Sequence, residues 1–155
     1  MFKFTAQALF LVSFAMMCTA TDAQQAERTI TIRMLDSKTG AVMSPTKFQV
    51  TVNTKDYSHL ETFSPNKGGI GELVVKSDVV QLSIQAVYEP GEHTFVNCDS
   101  VKDKIFFQSH WYAVPQIFST GVVAPNNCSK LTAVASPGEF VFFVRHTNWY
   151  ENLTE

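Results

Sequence analysis

Apolar and polar residues alternate along most of the chain beyond residue 28, and this is the pattern of β-strands that bury one face. The clearest stretch is residues 79–88, in which Val80, Leu82, Ile84 and Ala86 share one face and polar residues share the other. Weaker or shorter versions of the pattern predict strands at residues 29–35, 47–52, 71–75 and 93–98, and residues 60–63 and 110–114 are candidates for short strands. Turn-forming residues separate these stretches, so the strands should be short.

Residues 140–145 form the last strong stretch, and they differ because apolar residues occupy both faces. We therefore expect this strand to be central and covered on both sides. Residues 93–98 are expected to form a hairpin with residues 79–88, because a short turn cluster separates the two. Residues 131–135 are a weaker candidate for a further strand.

A single short helix is predicted over residues 115–120. Pro115 favours the start of a helix, and Gly121 is suited to its end. Together, the elements predict an all-β fold, namely a seven-stranded antiparallel β-sandwich with an insert that contains the short helix. Residues 24–155 contain no linker or repeat, so we expect a single domain there.

The first 23 residues are different in character. Lys3 precedes an apolar run at residues 8–18, and small-residue sites follow it, so residues 1–23 are predicted to be a secretory signal peptide. The run is too short for a membrane-spanning helix, which needs about 20 residues. Cleavage after Ala23 is favoured over cleavage after Ala20, because a polar arm then precedes the first strand.

The signal peptide predicts a secreted or periplasmic protein. An alternative is lipid attachment at Cys18, but the bulky Met17 before it does not fit the usual small residue. Removal of the leader leaves two cysteines, Cys98 and Cys128, in a compartment where disulfides persist. The simplest arrangement is one disulfide between them. In the chain-entropy account, closing this loop would stabilise the folded state by about 3.5 kcal/mol. A metal site built from cysteine alone would need more ligands.

Charge excludes some classes of partner. The formal net charge is −2 and the basic residues are scattered, so nothing predicts nucleic-acid binding, which needs clustered Lys and Arg. No basic amphipathic helix is present for a membrane surface, and no membrane span is expected after leader removal. The sequence does not specify an oligomeric state.

No arrangement of residues predicts a catalytic, cofactor or metal site. The four histidines, at 59, 93, 110 and 146, have no metal-ligand spacing, and there is no Gly-x-Ser-x-Gly motif. Asp99 and Asp103 could face each other on a helical turn and bind a cation, but the neighbouring lysines favour a solvated charged turn. Ser100 is interpreted as a turn or helix cap.

Four aromatic residues in the insert, Phe106, Phe107, Trp111 and Tyr112, form the candidate binding surface. Exposed rings can stack on sugars or hold peptides. The alternative is structural: Trp111 would fill one end of the sandwich, with the disulfide holding the insert over it.

Several turn motifs resemble those of carboxypeptidase regulatory-like domains. Residues 30–43 (ITIRMLDSKTGAVM) match the first strand and Asp-x-x-Thr-Gly turn of that family, and residues 66–73 (NKGGIGEL) match a later turn. Residues 136–140 (SPGEF) resemble its Pro-Gly turn before a late strand. The resemblance implies a transthyretin-like sandwich and an accessory or binding role, and it does not extend over residues 97–131.

A second resemblance is closer. The segments VNCDS (96–100), HWY (110–112), GVVAPN (121–126) and PGEFVFFVR (137–145) are similar to a group of small uncharacterised bacterial secreted proteins. This resemblance implies no activity.

The expected function is therefore that of a secreted, non-enzymatic binding or accessory module. Its candidate ligands are cell-envelope glycan or a protein partner. Two alternatives stay open: a small extracytoplasmic hydrolase whose site forms only in three dimensions, and a structural subunit that adds its strand edges to an envelope assembly.

Overall fold

The computed structural model describes residues 26–45, 47–54, 57–87, 95–100 and 110–147, and all structural statements refer to these. They form nine strands and one helix: β1 (Glu27–Asp36), β2 (Lys47–Thr54), β3 (Ser58–Phe63), β4 (Ile70–Lys76), β5 (Val79–Val87), β6 (Phe95–Asn97), β7 (Tyr112–Ala113), α1 (Val114–Thr120), β8 (Val122–Val123) and β9 (Glu139–His146). The predicted number of strands was seven. β8, which has two residues and is too short to show alternation, is the one described strand that no predicted stretch covers.

The strands form two sheets. The β1 sheet has the order β4-β1-β9-β6, with β8 beside β9, and the β2 sheet has the order β3-β2-β5-β7. One apolar core contains residues of both sheets, so the two pack face to face, as the predicted all-β fold requires. Phe48 of β2 lies at its centre, with its ring 6.0 Å from that of Phe142 and 5.4 Å from that of Phe63.

The prediction that all strands pair antiparallel was wrong. β1 and β9 run parallel, with Ile32 opposite Phe140, and β8 also runs parallel to β9. The Arg33 side chain joins the first pair, since its Nε donates to Glu139 Oε1 at 2.8 Å. Alternation could not predict this, because it determines which face a side chain occupies and says nothing about the direction of a distant neighbour.

The expectation that the last strand is covered on both sides is confirmed. Phe140, Phe142 and Val144 of β9 lie in the core between the sheets. Val141 and Phe143 point the opposite way and join a second apolar cluster, which is covered by Val123, Cys128, Leu131, Ala133 and Ala135. The chain from β8 to β9 is therefore an outer layer on the β1 sheet.

Residues 131–135 belong to this outer layer and do not form the predicted strand. Hydrogen bonds hold the layer in place: the Ala124 N–H donates to Val141 O at 2.8 Å, and Asn126 Nδ2 donates to Ser37 O at 3.0 Å. The predicted disulfide is present, with Cys98 and Cys128 joined and their Cα atoms 5.3 Å apart. It ties the layer to the end of β6.

β6 is not the hairpin partner of β5 that the sequence suggested. It pairs antiparallel with β9 in the other sheet, with Val96 opposite Arg145. β5 and β6 therefore belong to different sheets. Asn97 is buried beside β5 and its Nδ2 donates to Ile84 O at 2.7 Å, so one amide links the two sheets.

The predicted helix is confirmed as α1. Pro115 lies in its first turn, and Gly121 ends it with a φ of 75° while its N–H donates to Ile117 O at 3.0 Å. Val114 and Ile117 are buried in the core. The helix therefore fills the end of the core next to β7.

Candidate functional site

The loop after β6 places a buried carboxylate beside the disulfide. Asp99 is only 3% exposed, so the prediction of a solvated charged turn was wrong at this residue. Its Oδ2 accepts from Tyr112 Oη at 2.6 Å and from the His110 N–H at 3.1 Å, and its Oδ1 accepts from Ser100 Oγ at 3.0 Å. These donors replace water around the charge. Asp103 lies outside the described residues.

Tyr112 is held in place by this carboxylate. Burial raises the pKa of its phenol well above the usual value, and the nearby Asp99 charge and hydrogen bond raise it further. The phenol is therefore a fixed hydrogen-bond donor. Its ring packs on Phe140 with centroids 4.7 Å apart, so the partly buried Tyr112 packs against the core.

Trp111 is the neighbour of this anchored tyrosine and points to the opposite side. Its exposed fraction is 47%, so the interpretation in which it fills the end of the sandwich is wrong. The helix α1 occupies that position. Leu82 of β5 pairs with Tyr112, the first residue of β7, and the two strands are antiparallel. Continued by one residue, this register brings Ser83 opposite Trp111 on the outer face of the β2 sheet.

From Trp111, the outer face of the β2 sheet extends across β5, β2 and β3. Gln49 of β2 pairs with Gln85 of β5, and Thr51 pairs with both Ser83 of β5 and Leu60 of β3. A cleft of about 270 Å³ runs over this face, lined by Gln49, Thr51, Leu60, Ser83, Ile84, Gln85 and Trp111. We call it the Trp111 cleft.

The Trp111 cleft combines two kinds of contact. Four side chains offer hydroxyl or amide groups, which both donate and accept hydrogen bonds. Trp111 at one rim and Leu60, which is 59% exposed, at the other provide apolar surface. None of the lining residues is charged. Such a surface suits a neutral, hydroxyl-rich ligand with apolar ring faces.

The predicted aromatic surface is only partly visible in this geometry. Trp111 lines the cleft, Tyr112 does not, and Phe106 and Phe107 lie outside the described residues. The polar lining was missed as a site, although alternation had placed Gln49, Thr51, Ser83 and Gln85 on solvent-facing sides of their strands. The missing information was that β2 and β5 are neighbours and that Trp111 stands beside them.

A second cleft, of about 320 Å³, lies on the side of the fold where β3 and β4 form the sheet edges. Its walls carry charges of both signs: Glu27, His59, Glu61, Lys76 and Asp78, with Tyr57, Thr54, Val74 and Val79. His59 Nε2 and Glu61 Oε1 are 2.8 Å apart, a pairing that no pattern in the sequence predicted. We call this the His59 cleft.

Neither cleft assembles a metal site from the part of the chain that is described, since no group of three or more His, Cys, Asp or Glu residues has a suitable arrangement there. His93 is outside the described residues. In the same ranges, none of the helical structure has the length and apolarity needed to cross a bilayer.

Comparisons of the chain with protein-family models, with curated proteins and with solved structures find no match.

Proposed function

We propose that the protein is an exported, non-enzymatic module that binds neutral glycan of the cell envelope in the Trp111 cleft. The observation that carries this proposal is the composition of the cleft: an exposed indole beside four uncharged hydrogen-bonding side chains on one sheet face. An indole stacks on the C–H face of a sugar ring, and amides and hydroxyls bond to its hydroxyl groups.

The residues around Trp111 are held in place by hydrogen bonds, and this favours binding as well. The residue is flanked by Tyr112, whose phenol is bonded to the buried Asp99 carboxylate at 2.6 Å. The neighbouring polar side chains stand on paired strands. A preformed surface loses little conformational entropy when a ligand binds.

Export is part of the same proposal. The Cys98–Cys128 disulfide is typical of proteins that work outside the reducing cytoplasm. The proposed signal peptide at residues 1–23 would supply the route. The proposal includes a sandwich of transthyretin-like type, as the resemblance to regulatory-like domains implies, and the packing of two sheets around one core supports it.

The test is binding of the exported protein to insoluble cell-envelope polysaccharide, measured by sedimentation of the complex. Trp111→Ala should weaken binding about tenfold, which corresponds to about 1.4 kcal/mol for a lost stacking contact. Tyr57→Ala is the matched control, because Tyr57 is also an exposed aromatic residue, at 54%, but lines the other cleft. Equal binding by wild type and Trp111→Ala would refute the proposal.

A hydrolase is the second candidate, and the His59–Glu61 pair in a cleft is the observation that favours it. In such a reaction His59 would accept a proton from an attacking water. Within the described residues, however, Nε2 of His59 is already paired and Nδ1 is buried without a hydrogen-bond partner. Hydrolysis of ester, amide or glycoside substrates by wild type, lost in His59→Ala, would establish this candidate instead.

A further inference from the structure

The outer edge of β4 is open to a further strand. β4 ends the β1 sheet, and it pairs antiparallel with β1 on its inner side only. The Thr31 N–H of β1 donates to Gly138 O on the β9 side, so the even-numbered residues of β1 direct their backbone groups to β4. Their partners in the register are Gly71, Leu73 and Val75.

It follows that Glu72, Val74 and Lys76 direct their N–H and C=O groups away from β1. Ile70 has the same parity and supports this, because its carbonyl accepts from the Asn66 N–H at 2.8 Å on the outer side. No described residue forms a backbone hydrogen bond to the other three on that side. This is an unpaired edge of the kind that can accept another strand.

The side chains on this edge are self-complementary. Val74 is 51% exposed at its centre, with exposed Glu72 and Lys76 at equal distances on either side. Among the described residues, neither charge has an ion-pair partner. An antiparallel copy centred on Val74 brings each Glu72 opposite a Lys76, whereas a copy centred on residue 72 or 76 places like charges opposite each other.

We propose that a second copy of this chain binds at β4, with the two β4 strands antiparallel and Val74 opposite Val74. The backbone groups of Glu72, Val74 and Lys76 then pair with those of the partner, and the two β1 sheets become one continuous sheet. The interface is isologous, so it closes as a dimer and leaves no free β4 edge.

The neighbouring edge strand supports an interface on this side. β3 ends the β2 sheet on the same side of the fold, where residues of β3 and β4 line the His59 cleft together. β3 and β4 are close, since a Cβ built on Gly71 would lie 2.7 Å from the Phe63 ring. A partner at β4 therefore approaches the β3 edge too.

The dimer would also affect ligand binding. A two-fold axis that relates antiparallel edge strands is perpendicular to the sheet, so both β2 sheets lie on the same side of the joined β1 sheet. The two Trp111 clefts then face in one direction and could engage one polymeric surface together. Only this consequence rests on the proposed function; the dimer itself does not.

The test is the molar mass of the exported protein in solution, measured by light scattering and sedimentation at micromolar to submillimolar concentration. Wild type should dimerise. Glu72→Lys and Lys76→Glu should each be monomeric, because each places like charges opposite each other twice in the pair. Lys130→Glu is the control for Lys76→Glu, because it makes the same charge change at an exposed residue outside β4.

Mixing the two variants tests whether charge complementarity between the two β4 strands holds the dimer together. Glu72→Lys has two lysines at these positions and Lys76→Glu has two glutamates, so a one-to-one mixture should recover the dimer mass. Val74→Pro should also give monomers, because it removes the central outward N–H without removing a bond to β1. A monomeric wild type, a dimer indifferent to these changes, or a mixture that stays monomeric would each overturn the proposal.

Discussion

Tyr112→Phe gives the sharpest prediction about stability, because it removes one hydroxyl and leaves the ring. The lost group donates at 2.6 Å to Asp99, a carboxylate that is 3% exposed. A hydrogen bond to a buried charge is worth about 1.5–3 kcal/mol. For a domain of this size we expect Tm to fall by roughly 5 to 10 °C.

The assay is thermal unfolding followed by near-ultraviolet circular dichroism at neutral pH. Tyr57→Phe is the matched control, because Tyr57 is exposed and its hydroxyl makes no hydrogen bond to the described residues. That variant should unfold at the wild-type temperature. If the two variants lower Tm equally, the Asp99 bond does not carry the stability assigned to it.

Tyr112→Phe should also change how the free energy of unfolding depends on pH in the alkaline range. The native state raises the pKa of Tyr112, so it retains the proton that the unfolded chain releases near pH 10. The stabilisation is complete below pH 10 and declines above it, by up to about 1.4 kcal/mol per pH unit. Tyr112→Phe should flatten this alkaline decline.

A spectrophotometric titration of the tyrosines tests directly whether folding raises the pKa of Tyr112. The chain has four tyrosines, and Tyr112 should not ionise while the protein is folded. Tyr112→Phe should therefore leave the native phenolate signal unchanged and reduce the signal of the denatured protein by one part in four. A reduced native signal would show that Tyr112 titrates in the fold and would refute the reasoning.

Two further predictions concern the core and its outer layer. Gly71→Ala should destabilise the protein by about 1–3 kcal/mol in urea unfolding, because the added methyl would lie 2.7–2.9 Å from the rings of Phe63 and Phe48; an unchanged midpoint would contradict that packing. Replacing both Cys98 and Cys128 with Ala should cost up to about 3.5 kcal/mol by the same assay, and reductant should do the same to wild type but not to the variant.

The local elements of this protein follow from its sequence. Alternation predicted β1 to β5, and the two-sided apolar stretch predicted that β9 lies at the centre of its sheet. Pro115 and Gly121 marked α1, and the two cysteines beyond the predicted leader indicated the disulfide. These features depend on side-chain periodicity, on backbone preferences of single residues and on counting, which are all readable along the chain.

The tertiary structure decided which strands are neighbours. It placed β6 beside β9 and not beside β5, and it made β1 and β9 parallel. It also turned Trp111 outward, because α1 fills the end of the core and Asp99 fixes Tyr112 inward. The candidate cleft therefore joins Gln49 and Gln85, on strands far apart in sequence, with Trp111. Alternation assigns each side chain to a face, but contacts between distant segments decide which faces meet, and that energy is not local.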